Sequence, residues 1–147
     1  MNGWLPVFLM LVAGVCAAMQ TPTNAMLAGA VRSPVNAALI SFAVGTAALT
    51  IAAALVRVRP EMAAVRALPA QAWFGGLYGA FFVVAAAYSA PKIGVAATVT
   101  LLVAGQVAGA AALDHFGAFG LAARAISPMR LAGLALVIGG VVLVRRG

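Results

Sequence analysis

Long uninterrupted apolar runs alternate with short segments that hold nearly every charge in the chain. A hydrocarbon core roughly 30 Å thick takes about 20 residues of helix to cross. Five runs meet or approach that length, at about residues 4–28, 35–56, 70–90, 93–113 and 129–144. Transmembrane strands would alternate apolar and polar over about ten residues. These runs are continuous and Ala-rich, and lipid requires backbone groups to be satisfied within the segment. The pattern therefore predicts an all-α integral membrane protein, with residues 1–147 forming one five-helix domain.

The connections carry their own signals. Ser33 is placed to cap the second helix over Pro34 at its first position. A polar loop, 57–69, holds Glu61 and three arginines. Trp73 opens the third run at interfacial depth. Pro91-Lys92 predicts a very short turn, which makes runs three and four an antiparallel hairpin. Residues 119–126, inside the loop 114–128, are expected to lie flat on the membrane. The fifth run is the shortest.

Composition agrees with this picture. Of 147 residues, 65% are hydrophobic and 7% charged, with mean hydropathy +1.13. A soluble domain has about 25% charged residues. The net charge of +7 does not imply nucleic acid, because the arginines sit singly or in pairs at run ends, where they meet lipid headgroups. The single Cys16 precludes an internal disulfide. Met1-Asn2-Gly3-Trp4 lacks the basic side chain of a signal peptide, so the first run reads as a retained helix. Val15 is too large for a lipoprotein cleavage site before Cys16. There is no HExxH, Cys/His cluster or P-loop, and the two acidic residues lie in different loops. No enzyme, cofactor or metal is expected.

Candidate chemistry therefore rests on polar residues inside the runs, which are expensive in lipid and normally face helices or water. Cys16, Gln20 and Asn24 are spaced by four and share a helical face. Pro22 lacks an N–H and crowds the carbonyl of Ala18, so the helix is expected to kink or open there. Broken helices of this kind form substrate sites in transporters. Asn36, Ser41, Thr46 and Thr50 lie in the second run, and Tyr78 and Gln106 lie deep in the third and fourth. Tyr88 reads as an interfacial anchor. Gln20, Asn24, Tyr78 and Gln106 are the candidate substrate contacts. Asp114 and His115 are candidates for a coupling pair, or for a structural pair in which Asp114 bonds Arg124 or Arg130. Gly75/Gly79 and Gly105/Gly109, each four apart, permit close helix approach within one chain or across a dimer.

The chain resembles the drug/metabolite transporter superfamily, in particular its small five-helix group of inner-membrane exporters. The resemblance rests on Gly14 to Gln20 with Pro22 and Asn24, then Ser41-Phe42 with Gly45-Thr46. It continues through Trp73-Phe74-Gly75-Gly76, Gly79-Ala80, Pro91-Lys92-Ile93-Gly94 and Gly105-Gln106. Asp114-His115-Phe116-Gly117, Arg130, Gly133 and Gly139-Gly140-Val141 complete it. It implies one half of a ten-helix fold of two inverted halves, completed by an antiparallel homodimer or a paralogous five-helix partner. It also implies a bacterial inner-membrane location and export of a small polar or amphipathic solute. The small multidrug exporters of the superfamily carry a glutamate in their first helix; here that helix has only the neutral Gln20, which argues against simple proton/cation exchange. The alternatives are an accessory or scaffold subunit that pairs with a paralogue, and a lipid flippase or scramblase.

Five spans put Arg57, Arg59, Arg66, Arg124 and Arg130 on one side, and Arg32, Lys92, Arg145 and Arg146 on the other. Membrane proteins orient by an excess of Lys/Arg in the cytoplasm. This even split supplies almost no excess, so the chain is expected to insert both ways up. With Cys16 replaced by serine and a cysteine added at the C-terminus, a membrane-impermeant thiol reagent should label from both sides. Labelling from one side only refutes dual insertion, and two lysines added beside Lys92 should fix a single orientation.

Overall fold

The computed structural model describes residues 4–57, 59–120 and 122–146. Its helices are α1 (Trp4–Val31), α2 (Pro34–Val56), the short α3 (Met62–Arg66), α4 (Gly75–Ile93), α5 (Val95–Phe116) and α6 (Pro128–Arg146). Five segments are long and apolar enough to cross a membrane: α1, α2, Ala70–Ile93, α5 and α6. No strand forms among the described residues. The helices group into two compact units, Met1–Lys92 and Ile93–Gly147.

In the first unit, α1 and α2 pack as a hairpin across a two-residue link. Arg32 takes the left-handed conformation (φ 53°), and the Ser33 N–H donates back to the Ala28 carbonyl at 3.1 Å. Ser33 then caps α2 as its sequence predicts: its Oγ accepts the Asn36 N–H at 3.2 Å, with Pro34 at the first position. Such a cap contributes about 1 kcal/mol. The device recurs in the second unit. Ser127 Oγ accepts the Arg130 N–H at 3.2 Å, and Pro128 opens α6.

Side-chain size sorts the interior from the surface. Ala28, Ala37 and Ala87 form the core of the first unit, with Leu27 and Val31 packed against it. Leucines, by contrast, point outward along every long helix, including Leu9, Leu39, Leu77 and Leu136. In lipid, apolar side chains gain little by leaving their surroundings, so helices associate through small residues that let backbones approach. At Gly79 a Cβ would stand 3.2 Å from Cζ of Phe42 on α2, so the Phe42 ring occupies the space a side chain would take. Among the described residues of this chain, a Cβ at Gly105 or Gly109 would meet no atom within 4 Å.

Two expectations need correction. The backbone remains α-helical through Pro22, so α1 does not open there. Neighbouring threonines tie the turn together from their side chains. Thr21 Oγ1 donates to the Ala17 carbonyl at 3.2 Å, and Thr23 Oγ1 to the carbonyls of Gln20 and Met19 at 2.9 and 3.1 Å. Pro91-Lys92 is not a turn, because α4 runs through both to Ile93. Pro91 removes the N–H that would bond the Ala87 carbonyl, yet the helix runs two residues past it. The break comes instead at Gly94 (φ 83°, ψ 154°), a conformation essentially reserved for glycine. Continued helix stacks Lys92 on Tyr88, with Nζ 3.5 Å from the ring centroid. After α5 a 3-10 turn, Ala118–Gly120, is followed by irregular chain over 122–127.

Gly94→Ala should therefore lower unfolding stability in detergent by about 1–3 kcal/mol, the cost of a forced backbone. Gly139→Ala, in open space within α6, should leave stability unchanged or slightly raised. Equal effects of the two would show that Gly94 is not the constraint.

Candidate functional site

A two-residue link between antiparallel helices sets a register. Ala28 lies four residues before Arg32 and Ala37 four after Ser33, and these two alanines meet in the core. One turn further out, Asn24 lies eight before and Ser41 eight after. Both line an open cleft of about 480 Å³ between α1 and α2, beside Thr23. Its remaining walls are apolar and include Met26, Leu27, Ile40 and Val44.

Burial rises along the polar face of α1 towards the hairpin turn. Cys16 is exposed, Gln20 is half-buried and Asn24 is only 5% exposed. The chemistry of the cleft is neutral, since no titratable side chain lines it. Thr23 commits its proton to the α1 backbone and offers only lone pairs. The Asn24 carboxamide supplies donors and an acceptor, and Ser41 a hydroxyl. Such a lining can hold a hydrogen-bonding group while its apolar walls hold the rest of a solute.

The other candidates are placed differently. Gln20 is half-buried one turn beyond Asn24 and does not line the cleft. Tyr78 is 61% exposed on α4 and does not join the cleft. Gln106, in the second unit, is exposed on α5. Thr46 and Asn36 are exposed; the Thr46 carbonyl accepts the Thr50 hydroxyl. Thr23 and Ser41 are the cleft residues that composition alone ranks low. The signal that finds Ser41 is its distance from the Arg32-Ser33 turn, equal to that of Asn24.

In the second unit Asp114 pairs with arginine. Its Oδ2 stands 3.2 Å from Nη1 of Arg130, and its carbonyl accepts the Arg124 N–H at 2.7 Å. One residue at the end of α5 thus ties down both the loop and the start of α6. His115 is exposed and sets its ring edge-on to Phe116 at 5.1 Å. The structural reading of Asp114 is the one that the geometry carries, through Arg130.

A family model described as "Putative inner membrane exporter, YdcZ" matches residues 5–143. No curated protein and no solved structure gives a significant match.

The Asp114 and Arg130 side chains are 37% and 40% exposed. Ion pairs so open to solvent contribute about 0–1 kcal/mol. Asp114→Asn should therefore fold and shift the unfolding midpoint only slightly. A loss above about 3 kcal/mol would mean a buried, uncompensated charge instead.

Proposed function

The chain belongs to this inner-membrane exporter family, and on that premise we propose that it is a secondary transporter that moves a small polar or amphipathic solute through the α1–α2 cleft. Family membership and five apolar helices make it a multi-pass inner-membrane protein of exporter type. The observation that carries the finer reading is the pairing of Asn24 with Ser41 in a cleft with otherwise largely apolar walls. Polar side chains inside a membrane are costly, and there they line substrate paths or bond other helices. Asn24 and Ser41 recognise the solute; half-buried Gln20, one turn beyond Asn24, extends the path along α1. Tyr78 and Gln106 join it only where a second copy or a change of conformation brings them in.

The working assembly is an antiparallel dimer. A chain with five spans and little orienting charge can supply both inverted halves, and alternating access follows when the halves exchange conformations. Pro22 contributes the missing backbone bond that lets α1 flex without breaking. With no charge in the cleft, binding favours an uncharged hydrogen-bonding group on the solute, since a fixed ion would lack a countercharge.

Profiling the medium of cells that express the chain identifies the exported compounds. Asn24→Leu and Ser41→Leu fill the cleft with apolar bulk and remove its hydrogen bonds, and each should cut their export about tenfold, the factor for roughly 1.4 kcal/mol. If the double variant is monodisperse and helical in detergent yet exports as the wild type does, the cleft is not the path.

A further inference from the structure

A second groove, independent of the α1–α2 cleft, lies between α5 and α6, with a volume of about 370 Å³. The Asp114–Arg130 pair stands at one end. From there the groove runs from Asp114 back to Val107 on α5 and from Arg130 on to Val137 on α6. Each path is seven residues, about 10 Å along a helix axis. Beyond the ion pair its lining is apolar and includes the small residues Ala111 and Gly133.

The ion pair is made through one contact, Nη1 to Oδ2. A guanidinium carries five N–H donors and a carboxylate two acceptor oxygens, so each partner has capacity beyond this bond. Both side chains are open to solvent at the end of a membrane-crossing hairpin, the depth at which headgroups lie.

We propose that this groove holds one zwitterionic phospholipid bearing a primary ammonium, drawn from the surrounding bilayer. Its phosphate bonds the free N–H groups of Arg130, and its ammonium bonds Asp114. The first part of one acyl chain lies between α5 and α6. Charge complementarity selects this occupant. The pair is neutral overall and offers one site of each sign. An anionic lipid without an ammonium leaves Asp114 facing its phosphate. A quaternary ammonium has no N–H for the carboxylate.

The test is native mass spectrometry of the full-length protein released from nanodiscs that contain equal parts of phosphatidylethanolamine, phosphatidylcholine and phosphatidylglycerol. One phosphatidylethanolamine should be retained per chain. Asp114→Asn should weaken its retention about tenfold, as for one charge-assisted hydrogen bond. Gly133→Leu fills the groove at a position where a Cβ meets no atom within 4 Å, so it should fold and abolish retention. Equal retention of the three lipids, or retention unchanged in Gly133→Leu, overturns the proposal. A change in the number of chains per particle in Gly133→Leu, without change in bound lipid, also overturns it and assigns the groove to a second copy.

Discussion

The contact of Ala28 with Ala37 is the point from which the first unit is built. Two methyl groups are small enough to let α1 and α2 approach closely just beyond the Arg32-Ser33 link. Once they meet, the helical repeat sets every facing pair further along the hairpin. Asn24 and Ser41, each one turn on, line the same cleft. A bulkier side chain at either alanine would part the helices where the polar residues need to converge. The ring of Phe42 on α2 reaches Gly79 of α4, where a side chain would crowd it.

Polar residues in this chain divide by whether their hydrogen bonds are spent. Thr21, Thr50, Thr98 and Thr100 each return the hydroxyl proton to the carbonyl four residues back, which satisfies the side chain within its own helix. Thr23 does so twice over, beside the proline that removes a backbone donor. A carboxamide such as that of Asn24 retains donor and acceptor capacity in any rotamer. That difference, rather than polarity as such, separates residues that maintain a helix in lipid from those able to meet a solute. Asp114 belongs to the first group, since its charge and its carbonyl both serve the join between α5 and α6.

Much of this was legible along the chain. The five apolar runs, the Ser33-Pro34 cap and an arginine partner for Asp114 all come from local rules, because each concerns groups adjacent in sequence or a choice among few charges. The prolines mislead. Pro22 and Pro91 read as breaks, yet both helices continue through them. The true break, Gly94, differs from other glycines only in its backbone angles.

The apolar pattern by itself determined that this protein is a set of membrane-crossing helices, and its ordered small and polar residues determined the exporter family. Lipid leaves backbone groups no other partner, so length and hydropathy are sufficient for that much. Which polar residues share a cleft was decided only by tertiary structure. Asn24 and Ser41 lie seventeen positions apart, and nothing in either run states that their helices pack in the register that joins them. Tyr78, as polar and as central to its own run, points elsewhere. A helix fixes which residues share its face; only its packing against a neighbour fixes what that face meets.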